Sequence, residues 1–580
     1  MKKMKTKIKT FAYRTTVIGY CLLVIGMVAC QEHEWDNYYG DGEAAVGMTL
    51  MQAIDANPDL SQFAQIARRA GLAGLLASSQ SLTVFAPTNE AMAQFSLQGD
   101  TLSQFLYNHI CRYTHSLGDV AQADDGMLRI KMLNGKYQTL TAAGDQLRLA
   151  DLTAATNPQG ASNGVLFTIG EAIPFYNNIY EEIKRTDGCT SRMADYLSLF
   201  DEYTFNPEKS TVLGVNDRDE TVYDSVFNFR NDWMRRFGDI YLEDSVYTML
   251  VPTDQAFQKQ YDCIARYFRT YGEGTLRNPA SGLNITGTFD RGTAYSDSLT
   301  HAHTLEMLTH DLVFRKSIEV DNVPGDSIVS TSGHVFHHPA RLFAGAGKRG
   351  VSNGQMYVTD HLSFDPRESW HEEIRVEAED ASNYATQYAG STQSASAANY
   401  PQFAGSVSED GFLIVNPTQL SFQRTTIRFR LPQTLAAAYN IYIVTVPESA
   451  VDTTKIDSES LRGTRLKFYL RYVHEDGELK EDASIDTPTD FGGGQVPTPI
   501  DADKPAFITN ARQVDKMLIA RNFRFPFANY TASAFKPSSE DVPTTAFLRV
   551  ESDVTTAAAL AEFEKTMRID CIILEPVSEE

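Results

Sequence analysis

The chain has 580 residues, of which 42% are hydrophobic and 11% aromatic, a composition that supports several folded domains and is not typical of disorder. Its formal net charge is −23, and without a basic stripe to neutralise phosphates we expect no nucleic-acid partner. The sequence contains no phosphate loop and no zincin helix, so we expect a protein that is not an enzyme.

The first thirty residues predict export. Six basic residues precede the first acidic residue, and an apolar run from Val17 to Ala29 follows them. This order is typical of a secretory signal peptide. The run is short for a transmembrane helix, which needs about 20 apolar residues.

Residues 27–30, with the sequence MVAC, resemble a bacterial lipobox, in which the cysteine after the cleavage site carries diacylglycerol and palmitate. The resemblance implies a signal peptide of residues 1–29, a lipidated Cys30 and a tether of residues 30–45. The acidic stretch after Cys30 resembles signals that send lipoproteins to the exterior of Gram-negative outer membranes. We therefore expect a protein anchored by lipid to the outer membrane and facing the cell exterior. An ordinary signal peptide or an uncleaved anchor helix is the alternative.

A helical periodicity over residues 48–76 is followed by a strand-like apolar run that ends at a proline. Residues 82–92, with the sequence LTVFAPTNEAM, resemble the first signature of fasciclin-like domains. Residues 163–174, an Asn-Gly turn followed by an apolar strand, resemble the second signature. The resemblance covers residues 46–178 and implies a fasciclin-like domain there.

His109 lies in a segment that resembles the central histidine segment of this family. Because that segment is linked to adhesion in fasciclin-like domains, the resemblance makes His109 a candidate binding residue. The alternative is a buried histidine whose ring nitrogens bond to backbone groups, and the sequence favours this alternative.

The same three segments recur further along the chain, at residues 247–257, 308–313 and 352–360. The recurrence implies a second fasciclin-like domain over residues 183–366, with insertions relative to the first. We expect the histidine segment to be the least similar of the three, because its alignment is ambiguous.

From about Trp370 the pattern changes to apolar and polar residues in alternation, separated by turn residues. This pattern predicts an antiparallel β-sandwich over residues 372–580. The last strand is predicted to place Met567, Ile569, Cys571 and Ile573 on one face. The region is similar to jelly-roll carbohydrate-binding modules. The predicted fold class is therefore α+β, with two tandem fasciclin-like domains followed by a C-terminal antiparallel, jelly-roll-like β-sandwich.

Two sets of candidate site residues lie at the start of the predicted sandwich. Sandwiches that bind sugars often hold a structural calcium ion, which prefers oxygen ligands, and the candidates are Glu377, Glu379 and Asp380. Aromatic rings among small polar residues suit sugar faces, and the candidates for glycan contact are Tyr384, Tyr388, Tyr400 and Phe403. The alternatives are charged side chains facing water and rings that cover the core.

Histidines cluster twice in the second half of the chain, as His301, His303 and His310 and as His334, His337 and His338. Histidines can hold a transition metal, but no cysteine or acidic partner stands beside them at an obvious ligand spacing. The sequence therefore favours polar histidines on surfaces or loops.

The sequence predicts a non-catalytic surface lipoprotein that mediates adhesion or binds a glycan or protein ligand. It can act beside an outer-membrane nutrient importer, because lipoproteins similar to this one are encoded with importers of the starch-utilisation type. Two alternatives stay open. One is a structural accessory subunit of a transporter complex without a ligand of its own, and the other is a hydrolase in the C-terminal sandwich. Calcium is the one cofactor that we consider.

Overall fold

A computed structural model of the protein describes residues 47–93, 100–123, 126–143, 146–149, 158–185, 188–215, 221–224, 226–270, 273–276, 287–290, 292–319, 326–396, 406–418, 423–450, 454, 459–476, 479–481, 489–490, 498–499, 507–529 and 546–578. Cys30, Tyr400 and Phe403 lie outside these residues. The chain divides into one compact unit that ends at Asn177 and another that begins at Asn178. Within the described part, no helix combines the length and the apolar character needed to cross a membrane.

The first unit contains two small sheets and several short helices. Its helices are α1 (Leu50–Ala56), α2 (Ser61–Arg69), α3 (Ala73–Leu76), α4 (Asn89–Met92), α5 (Asp100–Tyr107) and α6 (Leu117–Ala121). Its strands are β1 (Leu82–Pro87), β2 (Ile110–Arg112), β3 (Met127–Lys131), β4 (Tyr137–Ala143), β5 (Gln146–Leu149), β6 (Gln159–Ala161) and β7 (Gly164–Ile169). One sheet has the order β2-β1-β7-β6, with β1 and β7 parallel, and the other has the order β3-β4-β5.

Strand β1 is buried along its whole length because it lies at the centre of the four-stranded sheet. Its apolar run is therefore continuous and does not alternate, as expected for a strand covered on both faces. Pro87 ends the strand, and the Thr88 hydroxyl caps α4 by accepting from the Ala91 N–H. The first signature of the sequence thus encodes a buried strand, a stop and a helix cap.

The first half of the second unit repeats this plan with longer elements. Its helices are α7 (Ile179–Ile183), α8 (Ser191–Ser198), α9 (Asp232–Phe237), α10 (Asp254–Tyr267), α11 (Gly292–Thr309) and α12 (Pro339–Leu342). Its strands are β8 (Asp201–Phe205), β9 (Thr211–Val215), β10 (Thr221–Asp224), β11 (Phe227–Asn231), β12 (Tyr247–Pro252), β13 (Glu273–Leu276), β14 (Gly287–Asp290), β15 (Val313–Arg315), β16 (Ser327–Val329), β17 (Val335–His337), β18 (Gly347–Arg349) and β19 (Gly354–Thr359).

The central sheets of the two units share their strand order and register. The order β15-β12-β19-β18 matches β2-β1-β7-β6. Strand β12 pairs in parallel with β19, with Tyr247 opposite Gly354, as β1 pairs with β7, with Leu82 opposite Gly164. The three segments that recur in the sequence therefore occupy corresponding places in the two sheets.

The Asn-Gly pair before each parallel strand has a clear physical role. The Asn353 side chain accepts from the Ile179 N–H and donates to the carbonyl oxygens of Ile240 and Leu242. The Asn163 side chain makes the corresponding three bonds in the first unit. Gly354 has a φ of +143°, and a Cβ there would lie 1.8 Å from the Tyr247 carbonyl oxygen. Only glycine permits this close approach of the two strands.

The C-terminal part of the second unit is built from two larger sheets. Its strands are β20 (Ile374–Glu377), β21 (Tyr384–Tyr388), β22 (Gly390–Ser396), β23 (Gly411–Pro417), β24 (Thr426–Arg430), β25 (Ala438–Thr445), β26 (Arg465–Val473), β27 (Leu479–Glu481), β28 (Thr489–Asp490), β29 (Thr498–Pro499), β30 (Phe507–Ile508), β31 (Asp515–Arg524), β32 (Phe547–Ser552) and β33 (Met567–Pro576), with helix α13 (Ala557–Glu562) before β33. One sheet follows the order β22-β23-β33-β25-β31-β28-β29, with β20 also on β33. The other follows β21-β24-β32-β26-β27, with β30 on β26.

The buried face of β26 consists of Leu466, Phe468 and Leu470, as the alternation in the sequence predicts. These side chains belong to one hydrophobic core that also contains residues of β25 and β33 and of the helices between residues 179 and 264. The core of the second unit is therefore continuous from the first-half helices into the C-terminal sheets.

Strand β33 changes its inward face halfway along. Ile569 pairs with Thr445 and Ile572 pairs with Ile443, so one extra residue is inserted on β33. Ile569 and Ile572 both lie in the main core, whereas Cys571 lies in a separate cluster on the other face. The prediction that Met567, Ile569, Cys571 and Ile573 share one face is therefore wrong, because this bulge shifts the alternation by one residue.

We expect Asn353→Ala to lower the free energy of unfolding by about 3 kcal/mol, because it leaves buried backbone groups without their hydrogen-bond partners. Urea unfolding followed by tryptophan fluorescence measures this change, since Trp233 is fully buried in the same unit. The exposed Asn228 is the matched control, and Asn228→Ala should change stability by less than about 0.5 kcal/mol. Equal effects of the two substitutions would contradict the role assigned to Asn353.

Candidate functional site

His109 follows helix α5 and is fully buried, with 0% of its surface exposed. Its Nδ1 lies 2.7 Å from the Phe105 carbonyl oxygen, and its Nε2 accepts from the Ile173 N–H at 2.9 Å. Burial lowers the pKa of His109 to about 4, so the ring is neutral. The structure corrects the prediction that His109 contacts a partner, because the ring cannot reach the surface. His109 is instead a buried histidine bonded to backbone groups, which is the alternative that the sequence favours.

The second unit has a different side chain at the position of His109. The carbonyl oxygen of Leu312 accepts a hydrogen bond from β12, as the carbonyl oxygen of His109 accepts one from β1. Leu312 is therefore the counterpart of His109, and Asp311 is the counterpart of Asn108. The histidine that the sequence offers in this segment, His310, stands two residues earlier.

Asp311 is the centre of a polar cluster in the second unit. Its carboxylate lies 2.9 Å from His310 Nε2 and 2.9 Å from His334 Nδ1. The hydroxyl groups of Ser330 and Ser369 donate to the same carboxylate at 2.6 and 2.5 Å. The carboxylate is buried, and these groups surround both of its oxygens.

The corresponding place in the first unit is uncharged at its centre. Asn108 donates to the carbonyl oxygens of residues 173 and 174, and its Oδ1 accepts from Asn134. Lys136 closes the neighbouring hairpin there, as His334 closes it in the second unit. The two units thus share a backbone arrangement, and only the second places two imidazoles and a carboxylate on it.

Electrostatics in the cluster favour a charged Asp311. Burial alone would raise the pKa of Asp311, but the hydrogen bonds from His310 and His334 hold it well below its usual range. The pKa of His334 is raised, first by its hydrogen bond with Asp311 and less by the charge of Glu372. The Glu372 carboxylate lies 3.6 Å from His334 Nε2.

The two imidazoles line a cleft of about 600 Å³ in the second unit. Asp311 lies behind them and does not line the cleft. The cleft is also lined by α11, by the segment before β20 and by the C-terminal part of the unit, and the lining residues include Glu306, Trp370, Glu372, Arg375 and Tyr439. The cleft therefore joins basic, acidic and aromatic groups from both halves of the second unit.

The other predicted histidines are not gathered with this cluster. His303 is fully buried near Phe268, which contradicts its assignment to a surface or loop. The His301 ring bonds to the Tyr261 hydroxyl, and His337 and His338 are exposed. Sequence reasoning missed the cluster because the acidic partner of His310 is its immediate neighbour. The His-Asp dipeptide at 310–311 is the signal that could have revealed it.

A second cluster lies at the bulge in β33. Glu377, Asp570 and Cys571 bring their side-chain ligand atoms within 4.8 Å of one another. Burial first, and then the charges of Glu377 and Glu379, raise the pKa of Asp570 to about 7 against the opposing effect of the hydrogen bond from the Ser408 N–H. The pKa of Glu379 is also raised, by burial and then by the charge of Glu377.

The oxygen atoms of this acidic cluster are suited to bind a hard cation. The Oε2 atoms of Glu377 and Glu379 are buried and accept no hydrogen bond from any residue that the structure describes. Oxygen ligands of this kind are the ligands that calcium prefers. Asp380 does not belong to the set, because it is exposed and its Oδ1 accepts from the Ser382 N–H. The structure therefore replaces Asp380 by Asp570 among the candidate ligands.

Of the four candidate glycan contacts, the structure describes the side chain of Tyr384 alone. Tyr384 is half-buried, and its ring packs 6.2 Å from that of Phe429 against the core. A ring in this position covers the core, which is the alternative considered for it. Tyr388 lies in β21, but its side chain is outside the described part of the structure, as are Tyr400 and Phe403 entirely.

An exposed aromatic surface lies on the ribbon formed by β8 and β11. We call this the aromatic ribbon, with one face formed by Tyr203, Phe205, Phe227 and Phe229. Phe229 anchors the face against Tyr241, with ring centroids 4.9 Å apart. Tyr203 and Phe227 are 61% and 54% exposed, respectively. The patterns in the sequence did not indicate this apolar face.

Comparison with known proteins confirms one of the family resemblances. The family model for the Fasciclin domain matches residues 58–174. No curated protein matches the chain. The region 58–174 therefore carries a Fasciclin domain, and the sequence prediction for this part is confirmed.

Three solved structures resemble the chain at low identity. A FAS1 domain pair from the insect cell adhesion molecule Fasciclin I is 11% identical, covers 54% of this chain and 99% of its own, and has a TM-score of 0.21. The CBM22-1 xylan-binding domain of Paenibacillus barcinonensis Xyn10C is 8% identical, with 36% and 95% covered and a TM-score of 0.21. CBM32-3 from a family 31 glycoside hydrolase of Clostridium perfringens is 12% identical, with 34% and 94% covered and a TM-score of 0.16. TM-scores at this level do not establish a shared fold.

We expect the stability difference between the wild type and His109→Gln to shrink as the pH falls. The unfolded chain protonates this histidine near pH 6.5, whereas its pKa in the folded protein is about 4. The stability that depends on a neutral His109 is therefore present above pH 6.5 and is lost toward pH 4, by about 1.4 kcal/mol per pH unit. Urea unfolding of both proteins at pH 7.5, 6.0 and 5.0 measures the difference. A difference that stays constant would contradict this account.

Proposed function

We propose that the protein is a non-catalytic lipoprotein, anchored through Cys30 to the outer membrane, that mediates adhesion or binds a glycan or protein ligand at the cell exterior. The Fasciclin domain at residues 58–174 and the export-type N-terminus support this proposal. An accessory role beside an outer-membrane importer or a neighbouring lipoprotein is part of it. The membrane link is the lipid alone, because an acidic chain is not attracted to anionic headgroups.

We also propose a second fasciclin-like domain over residues 183–366, followed by a jelly-roll-like β-sandwich over residues 372–580. The shared register of the two central sheets and the paired roles of Asn163 and Asn353 support the second domain. The sandwich is supported by two sheets whose apolar side chains meet in one core.

The aromatic ribbon is the observation that carries the binding function. Its other face is polar, with Glu202 near Arg230 and Arg230 bonded to Asp232. A two-stranded ribbon with one apolar face open to water is marginal alone and gains stability when another surface covers it. We infer that the surface covering the aromatic ribbon belongs to a protein partner, because aromatic residues are enriched at protein interfaces.

The ribbon also favours the structural accessory subunit as a second candidate function, since that function needs an apolar contact surface and no ligand. The hydrolase alternative gains no such support. A hydrolase of this kind needs two carboxyl groups that face a cleft and are separated by about 5–10 Å. Asp570, the acid of the C-terminal sheets whose pKa is raised to about 7, is only 2% exposed and is not accessible to a polysaccharide.

A calcium ion held by Glu377, Glu379 and Asp570 is the cofactor that we propose. When bound, the ion would neutralise their negative charge and coordinate the buried Oε2 atoms. The chain itself places Asp570 at the bulge in β33, where the charges of both glutamates act on it. Its role would be structural, since it would tie β20 to β33 at the centre of the larger sheet.

We expect replacement of Tyr203 and Phe227 by serine to lower the recovery of a membrane partner roughly tenfold, which corresponds to the loss of about 1.4 kcal/mol of binding free energy. The measurement is purification of the tagged chain from its own membranes in mild detergent, with identification of what accompanies it. We expect an outer-membrane transporter or a neighbouring lipoprotein.

The matched control for this experiment replaces Glu202 and Asn228 by alanine on the polar face of the same ribbon. These changes should leave the recovery of the partner unaltered. If the wild type brings no transporter or lipoprotein, the accessory function fails. If both double variants retain the partner equally, the partner does not bind through the aromatic ribbon.

Calcium at a concentration about a hundredfold above its Kd should raise the Tm of the wild type by about 5 °C, because a ligand that binds only the folded state stabilises it. Thermal unfolding with calcium and with a chelator measures this shift. Glu379→Gln should abolish it, whereas Asp380→Asn should retain it. A shift that depends on Asp380 and not on Glu379 would reject the ligand set that we propose.

A further inference from the structure

We propose that His310, Asp311 and His334 bind a divalent transition-metal ion such as Zn²⁺, with an open coordination position facing the cleft. This site lies outside residues 58–174 and does not depend on the proposed binding function. It also differs in chemistry from the acidic cluster around Asp570, which offers carboxylate oxygens and no imidazole.

The first argument is a count of protons on the two imidazoles. Both ring nitrogens of His310 face acceptors, with Nδ1 2.9 Å from the Met307 carbonyl oxygen and Nε2 2.9 Å from Asp311. Both nitrogens of His334 also face carboxylates, those of Asp311 and Glu372. A neutral imidazole has only one N–H, so two neutral rings would leave one nitrogen of each ring facing an oxygen with no proton between them. In His310 this contact is at 2.9 Å, and in His334 it is the longer contact of 3.6 Å to Glu372, beyond hydrogen-bond distance.

There are two ways to satisfy these contacts. Both rings can be protonated, which places two cations with ring centroids 5.2 Å apart at a site where His310 is buried. Alternatively, one divalent ion takes the place of the two missing protons and carries the same charge at a single point between the nitrogens and the carboxylate. The second arrangement removes the repulsion between two imidazolium rings, and it is the one that we infer.

The distances between the ligand atoms fit a metal ion after a small adjustment. The three ligand atoms lie within 4.8 Å of one another. Bonds of about 2.0–2.1 Å in tetrahedral geometry separate adjacent ligand atoms by about 3.3 Å. The nitrogen-to-oxygen distances of 2.9 Å therefore need to grow by only a few tenths of an ångström. Two imidazoles and one carboxylate are a common ligand set for zinc with a free fourth position.

The groups around the three ligands are those that usually support metal-bound histidines. With Nε2 of His310 on the metal, its Nδ1–H donates to the Met307 carbonyl oxygen. With Nδ1 of His334 on the metal, its Nε2–H points to the Glu372 carboxylate. Ser330 and Ser369 orient the carboxylate of Asp311. Such partners fix the tautomer and orientation of the ligating rings.

The fourth position faces the cleft because both imidazoles line it while Asp311 lies behind them. A water molecule or an oxygen of a bound ligand would complete the coordination there. Ser369 and Glu372, on the segment before β20, both contact the cluster. A metal ion would therefore also fasten this segment to the first half of the unit.

The first unit provides an internal comparison for this proposal. Its backbone is arranged in the same way, but Asn108 and Lys136 stand where the second unit has Asp311 and His334. An amide and an ammonium do not bind a transition metal at neutral pH. We therefore expect one site per chain, not two.

Titration of the metal-free full chain with Zn²⁺ and with Co²⁺ tests the proposal. We expect one ion per chain by elemental analysis after gel filtration, and visible absorption bands typical of Co²⁺ bound to nitrogen and oxygen ligands. His334→Ala should weaken binding by at least about a hundredfold, and Glu372→Gln by about tenfold, because it removes the carboxylate that supports His334. The control is the exposed His337, the last residue of β17 in the β16–β17 hairpin. His337→Ala should bind the metal as the wild type does.

Two further measurements distinguish failure of the site from failure to fold. Asp311→Asn keeps the shape of the side chain and should lose the metal while keeping the circular dichroism spectrum of the wild type. Nitrogen NMR of the histidine rings should show that zinc replaces the proton on one nitrogen of each of two histidines. Both rings doubly protonated in the presence of zinc, or unchanged binding in His334→Ala and Asp311→Asn, would overturn the proposal. Glu379→Gln should leave zinc binding intact, which separates this site from the calcium site.

Discussion

The arrangement of each central sheet depends on an asparagine side chain that replaces backbone hydrogen bonds. Asn353 forms hydrogen bonds with the start of α7 and with the turn before β12. The adjoining Gly354 lets β19 lie so close to β12 that a Cβ atom would not fit between the two strands. A side chain with one acceptor and two N–H donors is needed, because three separate backbone groups converge on it. This fixes the register of two parallel strands that are far apart in sequence, and the helices and hairpins then attach to a sheet of fixed geometry.

A fixed scaffold allows the side chains upon it to differ. The loop between α5 and β2 presents Asn108 and a buried His109, both of which bond to backbone groups and stabilise the fold. The same loop in the second unit presents Asp311 and Leu312, so the core position has become apolar and the polar position has become charged. The charge is tolerated because two serine hydroxyl groups donate hydrogen bonds to it and two imidazole nitrogens lie 2.9 Å from it, which offsets the cost of burying a carboxylate.

The sequence could predict those parts of the fold that local patterns determine. The buried strand β1, its stop at Pro87 and the Thr88 cap follow from the order of residue types, and the same order recurs at β12. The bulge in β33 could not be predicted, because one inserted residue leaves no mark in the sequence of a strand that is buried on both faces. Asp570 could not be predicted as a candidate ligand either, because it is close to Glu377 only through the pairing of β20 with β33. The cluster around Asp311 joins residues more than twenty positions apart, so it too depends on the folded structure.

The two polar clusters of the second unit differ in which atoms lack a suitable hydrogen-bond partner, carboxylate oxygens in one and imidazole nitrogens in the other. Around Asp570 there are carboxylate oxygens without enough donors, and burial together with the charges of Glu377 and Glu379 raises the pKa of this acid. Around Asp311 the carboxylate has enough donors, and it is the imidazole nitrogens that face more acceptors than neutral rings can satisfy. An excess of hard oxygens matches calcium, and an excess of nitrogen lone pairs matches a softer transition ion. The hydrogen-bond contacts at each cluster are therefore the basis on which we propose a cation there and choose its class.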